Sequence, residues 1–168
     1  KRNFARLGDA DGLMPVIKSD AYGHGLLPVA RALDEAGARR FAVGTASEGL
    51  ALRQMGFRQE ILPLMGCICP EDWHLAARYD LLVMLENHDD LRAAAQLAET
   101  GPALRVAIKC ETGMGRLGFV AEELPQVLET LRGQPALKPV LALSHLACAD
   151  MPGEEAYTQA QAERFTAM

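Results

Sequence analysis

Met14-Pro15-Val16-Ile17-Lys18-Ser19-Asp20-Ala21-Tyr22-Gly23-His24-Gly25 is the stretch on which the reading of the fold turns. Met14 to Ile17 is a short apolar run entered through a proline, and a run of that length bounded by turn signals reads as a buried strand. It stops at Lys18, and Tyr22-Gly23-His24-Gly25 is expected to turn the chain into an amphipathic helix. A lysine at the C-terminal mouth of a buried strand has apolar neighbours on one side and a flexible glycine loop on the other. Partial desolvation of such an amine favours its neutral, nucleophilic form. A Schiff-base lysine needs that form. On position alone, a strand-end lysine that simply reaches for water is the competing reading.

The same rhythm repeats outward from this stretch. Leu26 to Ala36 places Leu26, Val29, Ala30 and Leu33 on one helical face, and Gly37 closes it. Apolar strands are expected at Phe41–Val43, Ile61–Met65, Leu81–Leu85, Leu104–Ile108 and Val140–Leu143. Between and after them run helices from Ala46 to Met55, Pro70 to Tyr79, Leu91 to Glu99 behind an Asn87 cap, Glu122 to Leu131, and from Glu154 onward. Lys1 to Leu7 also reads as helical. Six short apolar strands alternating with helices predict an α/β fold with a parallel sheet covered on both faces. A doubly wound sheet and a (β/α)₈ TIM barrel both fit. The regular return of strands favours the barrel, and 168 residues against the typical ~250 make it a truncated one, with about six of eight βα units.

Composition narrows the function classes. The chain is 49% hydrophobic and 23% charged, as in ordinary globular proteins, and its length suits one domain, here spanning 1–168. A net charge of −5 without any run of Lys or Arg argues against nucleic acid. No apolar stretch approaches a membrane span and no signal peptide is visible, so a cytoplasmic protein is expected. Cysteines stand at 67, 69, 110 and 148, and the Cys67-Ile68-Cys69 pair fits no structural zinc spacing, so reduced thiols and no metal are expected.

Reactive residues gather where strands hand over to loops: Lys18, then Lys109 and Arg116, then Ser144 and His145. The opposite strand ends carry nothing comparable, and in parallel α/β folds the C-terminal ends build the active site. Gly113-Met114-Gly115-Arg116-Leu117-Gly118 spells G-x-G-x-x-G, but Glu111 and Thr112 separate it from the strand. No acid follows at ribose distance, where Lys138 and Pro139 stand instead. The glycines therefore read as shapers of a rim loop that lets Arg116 point inward, not as a dinucleotide cradle.

Val16-Ile17-Lys18-Ser19-Asp20-Ala21-Tyr22-Gly23-His24-Gly25 closely resembles the pyridoxal-phosphate attachment motif of bacterial alanine racemases. Lys109-Cys110-Glu111-Thr112-Gly113-Met114-Gly115-Arg116-Leu117-Gly118 is similar to that family's K-x-D-T-G-M-G-R-x-G segment, and Ser144-His145-Leu146-Ala147-Cys148-Ala149-Asp150 to its S/T-H-x-A-x-A-D segment. Phe41-Ala42-Val43 and Glu48-Gly49 also fall at fitting positions. The resemblance implies a (β/α)₈ barrel followed by a mostly β domain, a homodimer, and pyridoxal 5'-phosphate as cofactor. It implies racemisation of L- and D-alanine, supplying D-alanine to cell-wall peptidoglycan.

By that resemblance Lys18 would hold the cofactor and act as one of two bases. Tyr22 would donate to its phosphate, and His145 would lie against its ring. Arg116 would bond its phenolic oxygen and help place the substrate carboxylate, with the backbone at Met114 beside it. Lys109 would be the lysine that is often carboxylated on its amine, since next to Arg116 a bare ammonium would meet a like charge. Glu111 departs from the usual aspartate. The second base is expected outside this sequence, so the isolated segment is expected to be inactive. Rival readings are another pyridoxal-phosphate enzyme of this fold type, such as a broad racemase or a decarboxylase, and a cofactor-binding segment without turnover.

Overall fold

The computed structural model describes residues 2–168, so the Lys1 end of the first expected helix lies outside the described residues. The chain is α/β, and the strand pairings described below are parallel. It divides into two compact units, one ending at Met84 and the other running from Leu85 to Met168.

The first unit begins with α1 (Arg2–Arg6) and reaches the opening stretch through a short 3₁₀ turn at Ala10–Gly12. Met14 to Ile17 is shorter as a strand than its sequence suggests. Only Val16 is bridged, to Ala42, through Ile17 N–H donating to Ala42 O at 2.8 Å and Ala42 N–H to Pro15 O at 2.9 Å. Two causes cut it short: Pro15 has no N–H to give, and the backbone reverses hand at Ser19. The helical turn α2 (Lys18–Tyr22) has Ser19, Asp20, Ala21 and Tyr22 at φ between 53° and 55°, so it winds to the left. The amphipathic helix α3 (Leu26–Asp34) therefore starts at Leu26, after Gly25 at φ 89°, and not within Tyr22–Gly25.

Strands β1 (Arg40–Val43) and β2 (Glu60–Pro63) pair in parallel, Phe41 beside Ile61 and Ala42 beside Leu62. Phe41, Val43, Ile61 and Leu62 are wholly buried, as expected of continuous apolar strands covered by helices. Between them lies α4 (Ala46–Gln54), where Gly49 lets the helix close on the core: a Cβ there would come within 3.0 Å of Leu81 Cδ1. Helix α5 (Pro70–Arg78) follows, entered through proline as the sequence predicts.

Strand β3 (Val83–Leu85) runs across the boundary, and α6 (His88–Thr100) opens with Asn87 accepting the Asp90 N–H at 2.9 Å. Strands β4 (Leu104–Lys109) and β5 (Leu137–Leu143) pair in parallel around α7 (Leu124–Gly133), and α8 (Glu155–Ala167) ends the chain. Strand β5 begins three residues earlier than the expected Val140 and passes through Pro139. Its register jumps from Val106–Pro139 to Ala107–Leu141. A proline cannot donate to a ladder, so the strand bulges past it.

Candidate active site

Lys18 is half-buried and sits where the Val16 bridge gives way to the left-handed turn. Four non-glycine residues in this conformation cost roughly 1–2 kcal/mol each, so something must hold them. The Glu48 carboxylate does. Its Oε1 accepts the N–H groups of Ser19 at 2.8 Å and Asp20 at 3.4 Å, and its Oε2 those of Gly44 at 2.6 Å and Thr45 at 3.4 Å. Thr45 completes a capping box by accepting the Glu48 N–H at 3.3 Å. Asp20 adds a second clamp, accepting the Leu26 N–H at 2.6 Å. Tyr22, at the end of the turn, is 60% exposed.

In the second unit, β4 ends on Lys109, which is buried with Glu86: Nζ donates to Oε1 over 2.8 Å. The glycine loop then returns to the strand, with Phe119 N–H donating to Lys109 O at 2.8 Å and Gly118 N–H to Glu86 O at 3.1 Å. Inside the loop Glu111 accepts the N–H groups of Gly113, of Gly115 at 2.8 Å and of Arg116 at 3.1 Å. Burial pushes the Glu111 carboxyl up, but these N–H donations outweigh it and hold it below the usual carboxylate range. The amides that a dinucleotide phosphate would use are thus taken by the chain's own acid. Gly118 is needed where it stands: at φ 122°, a Cβ would lie 2.9 Å from the Glu111 nitrogen. Arg116 is exposed, while Met114 is half-buried.

Helix α8 ties this loop to the one after β5. Gln161 is fully buried; its Oε1 accepts the Ala147 N–H at 2.8 Å, and its Nε2 donates to His145 O at 3.0 Å and Thr112 Oγ1 at 3.3 Å. Thr112 Oγ1 also meets Ser144 Oγ at 2.7 Å. Tyr157 and Arg164 donate to the carbonyls of Gly113 and Thr112. His145 itself is exposed, and its carbonyl is held by Gln161. Gln161→Leu, which keeps the volume and deletes three hydrogen bonds, is expected to destabilise the full-length protein by about 2–3 kcal/mol because buried partners are orphaned. A denaturant titration checks this.

Lys18 and Tyr22 therefore lie in the first unit, and Lys109, Met114, Arg116 and His145 in the second, each at or just beyond the C-terminal end of a parallel strand segment. The sequence reading noted Glu48 only for its fit to a family segment and gave it no structural role, and it missed Glu86 and Gln161. The T-x-x-E spacing of Thr45 and Glu48 was a visible cue, and Glu86 ends an apolar strand just as Lys109 does. For Gln161 no local signal exists. Among the described residues, no group of three or more His, Cys, Asp or Glu could hold a metal ion, and no helix is long and apolar enough to cross a membrane. Among the described residues Cys67, Cys69, Cys110 and Cys148 form no disulfide.

Comparison with known proteins gives a consistent result. The family described as alanine racemase, N-terminal domain, matches residues 1–168. An alanine racemase of Nitratidesulfovibrio vulgaris (strain Hildenborough) is 48% identical over 153 residues, which is 90% of this chain and 40% of that protein. The alanine racemase of Clostridium difficile 630 in complex with cycloserine superposes with a TM-score of 0.86 at 29% identity, over 98% of this chain and 46% of that one. A histidine racemase from Leuconostoc mesenteroides subsp. sake reaches the same TM-score of 0.86 at 30% identity, over 98% of this chain and 45% of that one. The chain thus spans under half the length of each of these relatives.

Proposed function

We propose, on the premise that this chain belongs to the alanine racemase family through its N-terminal domain, that the full-length protein interconverts L- and D-alanine with Lys18 carrying its cofactor. Members of that family depend on pyridoxal 5'-phosphate. The observation that carries the reading is the half-buried Lys18 at a strand end, followed by a left-handed turn whose backbone Glu48 holds.

The donor set fits the cofactor. Lys18 supplies the amine, Tyr22 an exposed phenol for the phosphate, Arg116 an exposed guanidinium for the phenolic oxygen and the substrate carboxylate, and His145 an exposed imidazole for the ring. When bound, the cofactor takes up the electron pair released as the α-carbon loses its proton. Lys18 removes or returns that proton on one face. Inverting the centre requires a second base on the other face, which we assign to the remainder of the full-length protein. Arg116, always charged and forked, matches a carboxylate in two-point contact and fixes which bond is presented. The amide at Met114 lies beside that carboxylate in this assignment.

The same reading takes residues 1–168 as about six units of a (β/α)₈ barrel, with a mostly β domain elsewhere in a homodimeric, cytoplasmic enzyme that supplies D-alanine to peptidoglycan. Support comes from the parallel pairings and from the share of each relative that the chain covers. The test is borohydride reduction of the full-length protein with pyridoxal phosphate, followed by peptide mapping. A pyridoxyl group on Lys18 is expected; its appearance on another lysine, or on none, overturns the assignment. A second reading, a racemase for a larger amino acid, is favoured by the equal structural likeness to a histidine racemase. Comparing kcat/KM for L-alanine and L-histidine separates the two.

A further inference from the structure

Helix α8 is docked by an amide where a helix ordinarily buries an apolar stripe. Among the described residues of α8, Gln161 alone is buried. Its amide is spent on two loops. Both protons and the oxygen are engaged, by Thr112 Oγ1 at 3.3 Å, His145 O at 3.0 Å and the Ala147 N–H at 2.8 Å. Accepting from Gln161 leaves Thr112 its own hydroxyl proton for Ser144 Oγ, 2.7 Å away.

The first of these loops is stiff from within, because Glu111 gathers the N–H groups of Gly113, Gly115 and Arg116. A shift at Thr112 therefore carries Arg116 with it. The loop also lies directly against α8: a Cβ at Gly113 would come within 2.6 Å of Arg164 Nη1 and 2.9 Å of the Tyr157 hydroxyl. In the second loop, Gln161 holds His145 by its carbonyl and Ala147 by its N–H. Hydrocarbon throughout would hold a helix as firmly as a buried amide does. What the amide adds is direction, since a fully satisfied buried network specifies one arrangement.

We propose that Gln161 is a positioning residue for the reaction. It fixes the loop that bears Arg116 relative to the loop that bears His145, so that substrate carboxylate and cofactor ring are met together. This rests on the reading of Arg116 and His145 as site residues.

The test compares Gln161→Leu with wild type in the full-length protein, once circular dichroism shows the variant folded. Its kcat/KM for L-alanine is expected to fall roughly 10²-fold, the scale of a small misplacement caused away from the chemistry. KM should rise by more than kcat falls, since a carboxylate contact serves ground state and transition state alike. In an Arg116→Lys background the same change should cost less than about tenfold, because the contact it aims is already lost. Hydrogen exchange of the protein stripped of cofactor supplies a reading without turnover. Peptides covering 112–118 and 144–150 should gain exchange together, while α6 keeps its wild-type protection. Loop exchange equal to wild type, unchanged kcat/KM, or an equal loss in both backgrounds overturns the proposal. Should Gln161→Leu fail to fold, Thr112→Val removes the hydroxyl link alone and carries the same expectations for peptide 112–118 and for the double variant. A wild type that neither racemises alanine nor takes a pyridoxyl label on Lys18 sinks the functional reading instead, and joint loosening of the two loops then still identifies Gln161 as their clamp.

Discussion

Lys18→Ala in the full-length protein is expected to abolish alanine racemisation and the covalent retention of pyridoxal phosphate while leaving the fold intact. Loss of a general base alone costs about 10²–10⁴ in rate, and losing the attachment point adds to it. The backbone does not depend on the lysine side chain. The turn that follows it is held through the N–H groups of Ser19, Asp20 and Leu26, all of which alanine at position 18 preserves. The denaturant midpoint should therefore move by no more than about 1 kcal/mol equivalent, as for a half-exposed site without a cap or ion pair. Steady-state racemisation and gel filtration in the presence of cofactor decide the matter. A variant that retains activity within tenfold, or keeps the cofactor through reduction, would contradict the assignment of Lys18.

Much of this was legible in the sequence because the signals were local. Continuous apolar runs gave β1, β2 and β4 nearly to the residue, and cap chemistry at Asn87 and Pro70 gave the starts of α6 and α5. The asymmetry of strand ends picked out Lys18, Lys109, Ser144 and His145. What escaped was long-range. Ser19-Asp20-Ala21-Tyr22 contains no glycine, so nothing in its local preference announces a left-handed turn. Glu48, 29 residues away from Ser19, imposes it. Gln161 reaches back 49 residues to Thr112, a separation that no helical periodicity encodes. The strand expected from Val140 begins at Leu137, and the bulge that admits Pro139 depends on β4 being alongside.

Glu48→Ala should show how much of the Lys18 site is built by tertiary contact. The left-handed stretch of four residues carries an intrinsic cost of roughly 4–8 kcal/mol by itself. Glu48 offsets part of it with one short charge-assisted bond, from Ser19 N–H at 2.8 Å, and a longer one from Asp20 N–H at 3.4 Å, while Gly44 at 2.6 Å and Thr45 at 3.4 Å fix the carboxylate itself. Such bonds contribute about 1.5–3 kcal/mol each when fully formed and do not simply add. Asp20 still clamps Leu26 in the variant, so the turn is loosened without losing every restraint. A loss on the order of 3 kcal/mol is expected in the full-length protein, seen as a lower denaturant midpoint at unchanged slope. Lys18, no longer held at one angle, should also take up pyridoxal phosphate more slowly and lose kcat more than KM. Glu48→Gln keeps one accepting oxygen and turns an N–H₂ group towards backbone donors, so it should fall between wild type and alanine. Ser47→Ala, one position away and exposed, should change neither quantity. If Glu48→Ala matches wild type in both stability and cofactor uptake, the left-handed turn is held by something other than this carboxylate, and the geometry of Lys18 does not depend on it.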